Sequence, residues 1–469
     1  MGLVAGIDSS TQSTKVEIRD LDSGEVVARG HAPHPAVGSP RSEQDPAAWW
    51  SAFEQAWAMA GDPTVEAVSV AGQQHGMVVL DSSLDVLRPA KLWNDTESAP
   101  DAGWLAKQLP GGAAEWAEAC GSVPVASFTI TKLSWLHRSE PDVWARLAHV
   151  VLPHDWLTFR LTGSLTTDRG DASGTGYWSP AAGAYRWDLL GIVDRDRDWS
   201  GVVPEVLGPS DVAGEWRGAA VAPGTGDNMG AALGLGLRPG DVAISIGTSG
   251  TVFTVGDSPV VDPSGLVAGF ADATGRFLPL SCTLNATKVT EVVRRLLGVE
   301  HAEFDALALA AEPGARGTVL LPYLDGERTP NRPKARGVLA GFASDLRRED
   351  LARAAVEGVV CGLLDAFDAV TALSPSDGRV FLVGGGARSA AFRQVVADLL
   401  GRPVVVPATD ETVAAGAAVQ AAAVLAGADP LELARRWGLG GGLTVEPGPG
   451  AEASAGIRAA YSARRDHEA

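Results

Sequence analysis

The chain has 469 residues, 45% hydrophobic and 20% charged, enough for two or three packed domains and too apolar for a disordered polymer. Lys and Arg number 38 against 57 Asp and Glu, a net charge of −19, which argues against nucleic-acid or anionic-membrane partners because both select a positive surface. Cys120, Cys282 and Cys361 lie far apart with no metal or disulfide spacing, no apolar run approaches the ~18 residues of a membrane span, and no basic leader precedes Leu3-Val4-Ala5-Gly6-Ile7, so a cytoplasmic protein is expected.

In chain order, residues 3–7 form a short apolar run. Residues 15–19 alternate, with Val16 and Ile18 on one face and Glu17 and Arg19 on the other. A β-hairpin is expected there, followed by the turn Leu21-Asp22-Ser23-Gly24 and a third strand from Glu25 to Ala28. His31 and His34 sit in a Pro-rich stretch and are expected in solvent. Asp45-Pro46 opens a helix, Asp as N-cap and Pro at the first helical position, and Trp49, Trp50, Phe53, Trp57 and Ala60 follow at helical spacing as its core face. Residues 64–70 and 76–80 read as further strands. Thirteen of the 14 tryptophans fall at or before Trp216, and the Pro/Gly turn Val221 to Gly226 follows them. A boundary is therefore expected near it, giving domains 1–222 and 223–469. The second half repeats the opening pattern: strand 242–246, the small polar run Gly247-Thr248-Ser249-Gly250-Thr251, then strand 252–255. If this echo is a duplication, two α/β domains present two hairpin tips to one cleft.

The tips carry the first candidate chemistry. In Asp8-Ser9-Ser10-Thr11-Gln12-Ser13-Thr14-Lys15, small residues in a tight turn expose backbone N–H groups, the hydroxyls add donors and Lys15 adds a point charge, a combination suited to phosphate. Asp8 ends a strand and is placed to hold a hydrated Mg²⁺, which takes one or two carboxylates plus phosphate oxygens. An ordinary polar hairpin turn has the same composition. The second tip repeats these groups without the acid. Gly384-Gly385-Gly386-Ala387-Arg388-Ser389 follows the apolar strand 380–383 and precedes a helical stretch bearing Phe392, Val395, Val396 and Leu399. Such a turn lets a flat ligand or phosphate approach the backbone, and is equally a plain strand-to-helix connection. In Gly226-Asp227-Asn228-Met229-Gly230, the carboxylate can accept a proton from a substrate hydroxyl or cap a helix. Gly72-Gln73-Gln74-His75-Gly76 presents an amide and an imidazole of the kind that bind polyol hydroxyls, with a buried structural His as the alternative. Trp93-Asn94-Asp95 and Asp168 to Ser173 are further polar loops of the same half.

Together these segments resemble the FGGY family of carbohydrate kinases over essentially the whole chain. The parts stand in the family's order: Gly6-Ile7-Asp8 with its hydroxyl-rich turn, residues 72–76, Trp93-Asn94-Asp95, Phe128 to Leu136, Leu152 to Leu157, Gly226-Asp227-Asn228, Ile246 to Gly250, Leu321 to Pro330, Gly384 to Ser389 and Glu411 to Ala418. The segments around Lys132 and from Gly337 to Glu357 are similar to the family's two signature patterns. The resemblance implies an α/β protein of two actin-like (ribonuclease H-like) ATPase domains around a central cleft. It implies transfer of the γ-phosphoryl of ATP, with Mg²⁺, to the terminal hydroxyl of D-xylulose. Ribulose, gluconate or glycerol are the alternative acceptors, and a non-catalytic actin-like nucleotide-binding protein is the more distant alternative. By resemblance Asp227 is the catalytic base, Asp8 organises Mg²⁺ and phosphate, and Gln74, His75, Asp227 and Asn228 meet the sugar. Thr11, Ser13, Thr14, Lys15, Gly247 and Thr248 meet the ATP phosphates, and Gly384, Gly385, Gly386 and Ala387 lie against the adenosine. The expected partners are the sugar and ATP, with a homodimer as the assembly to look for. Two departures stand out: Gln74 where many members have Met, and Asp-Ser-Ser-Thr where Asp-Leu-Gly-Thr is commoner. Ser139, at the end of the first signature, also replaces a larger polar residue.

Overall fold

A computed structural model describes residues 2–38 and 40–467. The expected hairpin is present and longer than its apolar core. Strands Leu3–Ser9 and Ser13–Asp20 pair antiparallel, with Asp8 opposite Lys15 and Ser9 opposite Thr14. Val26–Pro33 adds the third antiparallel strand. Ala67–Gly72, buried at every position, pairs in parallel with Leu3–Ser9, as a central strand of an α/β sheet should. Beyond it lie Ala219–Val221 and then Gly214–Trp216, while Thr225–Gly226 also joins Ala67–Gly72 in parallel. Ser9, Gly72 and Gly226 therefore stand side by side at the carboxyl ends of three neighbouring strands.

Helix Pro46–Met59 starts as read: the Asp45 side chain accepts from the Ala47 N–H at 2.9 Å. Trp49, Phe53, Trp57 and Ala60 are buried, and Trp216 packs edge-on against Trp57 at 4.9 Å and against Phe53 at 5.6 Å. His34 departs from expectation. It is 8% exposed, its Nε2 lies 2.8 Å from the Thr14 hydroxyl, and burial pushes its pKa down to about 4.

The chain does not divide at a single cut near 222. One compact unit runs to Leu237 and takes in 256–278 and 411–439 as well; the other comprises Arg238–Val255, Pro279–Asp410 and the chain from Gly440 onward. The late return is made by helix Thr412–Ala426, whose small residues let it lie against helix Asp227–Gly234 at backbone contact. A Cβ on Gly416 would fall 1.9 Å from the Gly230 carbonyl oxygen, and one on Gly234 would fall 1.8 Å from that of Thr412. Gln420, 1% exposed, anchors the same helix by accepting from the Ser69 hydroxyl at 2.5 Å and donating to the Gly224 carbonyl at 2.9 Å.

In the second unit the same opening recurs. Val242–Ile246 and Gly250–Thr254 form an antiparallel hairpin, and Val242–Ile246 pairs in parallel with Val380–Val383. The sheet continues through Val404–Pro407 to Gly442–Val445, and residues 280–283 pair with the outer side of the hairpin. Helix Arg348–Leu373 crosses this sheet and supplies much of its core, including Val356, Val359, Val360 and Leu363. Each unit thus opens with a hairpin whose first strand pairs in parallel with a later one, the doubled α/β plan that the sequence echo suggested. Among the described residues no single helix is long and apolar enough to cross a membrane. Cys120 and Cys361 are buried free thiols, Cys282 is half-buried, and burial raises the pKa of Cys120 to about 12.

Candidate active site

Loops leaving the carboxyl ends of parallel strands are where open α/β sheets gather ligands. In the first unit three strands end in one row of the sheet, with Asp8 next to the end of the first, the Gln73-Gln74-His75 run just after the second and Asp227 just after the third.

Asp8 is 3% exposed. It accepts a short hydrogen bond from the Ser10 hydroxyl and lies 3.8 Å from the Lys15 ammonium. Burial raises its pKa to about 6 despite the opposing pull of Lys15. Lys15 also pairs with Glu411 at 2.5 Å, a contact between residues 396 apart in sequence. Burial disfavours the Lys15 ammonium, but Asp8 and Glu411 together outweigh that and hold its pKa above the ordinary value. At the hairpin tip the Thr11 hydroxyl donates to Gln73 Oε1 at 3.0 Å and accepts from the Trp93 indole at 3.0 Å. Thr14, expected among the phosphate contacts, is fully buried and bonds Ser9 and His34, so its hydroxyl has no face for a ligand. Ser13 is 8% exposed and is placed little better.

Asp227 is the first residue of helix Asp227–Gly234, with Gly226 rather than itself as the N-cap. Burial, and after it the charges of Asp8 and Asp171, push its pKa to about 7. The Asn228 side-chain NH₂ donates to Asp227 Oδ1 at 2.9 Å and to Gln74 Oε1 at 2.5 Å, and the Gln74 NH₂ meets Met229 Sδ at 3.1 Å. Gly226 makes room for this, since a Cβ there would come within 2.7 Å of the Gln74 side chain.

His75 is held from several sides in a left-handed backbone conformation, φ 59°, that few non-glycine residues adopt. Its backbone N–H donates to Asp171 Oδ1 at 3.2 Å, its Nδ1 lies 3.1 Å from the same oxygen, and its carbonyl accepts from Thr129 at 3.1 Å. The ring lies against Phe128 and Phe270, and Gly174 gives it space, for a Cβ there would fall 1.6 Å from the imidazole. Burial pushes Asp171 to about 8. Beneath it His154, fully buried, faces Asp155 at 3.1 Å, Asp168 at 3.4 Å and Asp171 at 3.5 Å, and burial drives its pKa down to about 3. By local pattern Asp168 to Ser173 is only a polar loop. The carboxylate that fixes His75 lies 96 residues away in sequence, and only the tertiary fold joins them.

The second unit has a cavity of about 920 Å³ lined by Gly247, Thr248, Gly385 and Gly386, with Lys288, Arg294 and Arg388 supplying positive charge. Four of the expected nucleotide contacts therefore share one cavity within this unit. Gly384 and Ala387 do not line it. Gly384, at φ 83°, packs against strand Val242–Ile246, where a Cβ would fall 2.7 Å from the Ile246 carbonyl oxygen, and Ala387 is 5% exposed. Among the described residues the one carboxylate cluster with metal-like spacing, Glu43, Asp95 and Glu97, already holds the Lys91 ammonium at 3.0, 3.1 and 2.6 Å.

Residues 3–234 match the N-terminal domain, and residues 242–425 the C-terminal domain, of the FGGY family of carbohydrate kinases. The chain is 49% identical over 457 residues to the xylulose kinase of Streptomyces rubiginosus, covering 95% of this chain and 92% of that protein. It is 36% identical over 419 residues to the xylulose kinase of Escherichia coli K12, covering 85% and 84%. The crystal structure of xylulose kinase from Bifidobacterium adolescentis superposes with a TM-score of 0.87 at 42% identity, covering 99% of both chains. A doubled α/β architecture, an acid at each of two strand ends and two domain matches across one chain lead to one assignment: the chain belongs to the FGGY family of carbohydrate kinases.

Proposed function

We propose that this carbohydrate kinase transfers the γ-phosphoryl group of ATP to the C5 hydroxyl of D-xylulose, giving D-xylulose 5-phosphate and ADP. The single observation that carries the reading is the row of Asp8, Gln74-His75 and Asp227-Asn228 at neighbouring strand ends of the first unit. The names of relatives at 49% and 42% identity favour xylulose as the acceptor. In this reading the sugar rests on His75, Asn228 and Asp227 with Gln74 beside them. The nucleotide takes the cavity of the second unit, with Gly247, Thr248, Gly385 and Gly386 against it. At the hairpin tip of the first unit, Thr11 and Lys15 supply a hydroxyl and an ammonium suited to phosphate.

Phosphoryl transfer asks mainly for positioning, charge neutralisation and a group to take the hydroxyl proton. Asp227 is that group. A carboxyl with a pKa near the working pH is ionised in a useful fraction and holds a proton once it has one, which suits a general base. Asp8 suits Mg²⁺: a buried carboxylate acceptor beside the Ser10 hydroxyl, its charge only partly offset by Lys15, matches an ion that takes few protein ligands and the rest from phosphate and water. When bound, Mg²⁺ supplies neutralisation of the phosphate charge. His75, fixed by Asp171, orients the acceptor. Three cysteines far apart in sequence, with no disulfide or metal spacing, support a cytoplasmic setting.

The test is product identity. Incubation with D-xylulose, ATP and Mg²⁺, followed by ³¹P and ¹³C NMR, should give one phosphomonoester coupled to C5. Phosphorylation at C1, or ADP release without sugar phosphate, would contradict the proposal.

A further inference from the structure

We infer that Gln74 is a positioning residue for the proton-accepting carboxylate, acting through Asn228, rather than a plain wall of the sugar site. This inference rests on the reading of Asp227 as the base. Three residues of the segment Gly226 to Met229 lie against the Gln74 side chain, and the fourth, Asp227, is joined to it through one of them. Gly226 leaves it space, Asn228 donates to its Oε1, Met229 Sδ lies 3.1 Å from its NH₂, and Asp227 is bonded to that same Asn228.

Donor counting sets the direction of the chain. An ionised carboxylate only accepts, so the Asn228 atom at 2.9 Å from Asp227 Oδ1 is its NH₂. The second hydrogen of that NH₂ points at Gln74, so the Gln74 atom at 2.5 Å is its carbonyl oxygen. With that acceptor in place the Asn228 amide has one favourable orientation, the one that donates to Asp227. A side chain without an oxygen at position 74 removes the lock. Asn228 can then turn its own carbonyl toward the carboxylate, which loses a donor that favours its charged form. The other charges that bear on Asp227 are Asp8 from strand Leu3–Ser9, itself bracketed by Lys15, and Asp171 from the short helix Arg169–Ala172. Both acids disfavour the ionised state. The Asn228 donor therefore works against burial first and the two acids after it, and its orientation matters to the base.

The experiment is a set of pH–kcat profiles for wild type, Gln74→Met, Asn228→Ala and the double variant, with D-xylulose and Mg-ATP saturating. Gln74→Met, close to Gln in volume, should move the acidic limb upward by about half a pH unit or more. Activity should fall several-fold near pH 6.5 and little near pH 9. Asn228→Ala should move the limb in the same direction, and adding Gln74→Met to it should produce no further movement. An unmoved limb in Gln74→Met, or an equal shift when Asn228 is already Ala, overturns the inference. A change confined to the sugar KM overturns it too and makes Gln74 a direct contact. Should Asn228→Ala fail to fold, infrared titration of the Asp227 carboxyl, identified by difference against Asp227→Asn, reads the same shift in wild type and Gln74→Met without turnover. If Asp227→Asn keeps its turnover, the base assignment falls and this inference falls with it. If Asp227→Asn is inactive and the limb stays put, only the role of Gln74 is wrong.

Discussion

Asp227→Asn should cost activity and return stability. The carboxyl sits at about 7 instead of 3.8 because burial, Asp8 and Asp171 all disfavour its charge. A displacement of that size corresponds to roughly 4 kcal/mol against the ionised form in the folded state. Between the unfolded and folded pKa values the native state binds the proton more tightly than the unfolded chain. Stability from this group therefore falls as pH rises from about 4 to 7, and the loss is complete above 7. Asn keeps the shape without the charge. After the neighbouring acids readjust, a gain of about 1–2 kcal/mol, or roughly 2–4 °C in Tm, is expected at pH 8, with little or none at pH 5. Activity should fall by about 10²–10⁴, the usual contribution of a general base. Wild-type kcat should decline about tenfold per pH unit below 7 as the base takes up its proton, and the residual activity of the variant should lack that limb. Differential scanning fluorimetry at the two pH values and a coupled ADP assay from pH 5.5 to 9 supply both readouts. A variant that keeps more than a tenth of wild-type kcat, or that melts lower than wild type at pH 8, would refute the reasoning.

Four further substitutions separate binding from folding. Lys15→Ala should raise KM for ATP more than KM for the sugar, because the ammonium lies beside Asp8 at the hairpin tip; steady-state kinetics with each substrate varied decides it. Gly385→Ala should leave Tm unchanged, since nothing lies within 4 Å of its Cβ, yet weaken ATP binding from the cavity wall. Gly386→Ala should lower Tm, because its Cβ would meet Ile246 at 2.4 Å; melting curves beside ATP titrations distinguish the two. Gly174→Ala drives a Cβ to 1.6 Å from the His75 ring and should raise the sugar KM by tenfold or more, roughly the effect of losing one good hydrogen bond, with a smaller change for ATP.

Local patterns carried the first hairpin, the Asp45-Pro46 helix start and the strand before the triple glycine, because each rests on periodicity or caps within a few residues. The alternation that placed Val16 and Ile18 inward also places Thr14 inward, two residues earlier, and that signal excludes its hydroxyl from the phosphate tip. Asp227 was legible as a Gly-flanked acid after a Pro/Gly turn. What was not legible is long-range. Nothing near Lys15 announces Glu411, nothing near His75 announces Asp171, and an Ala/Gly-rich helix late in the chain does not declare that it packs on the first unit. Its composition does state that it packs closely on something. In Gly384 to Ala387, glycines needed for close packing on Ile246 were read with those that face open space.

The most direct test of the account is kcat/KM across D-xylulose, L-xylulose, D-ribulose, L-ribulose, gluconate, glycerol and D-arabinitol at fixed ATP and Mg²⁺, followed by coupled ADP release. A clear preference for D-xylulose is expected. A higher kcat/KM for any other acceptor would contradict the substrate assignment and leave the family membership standing.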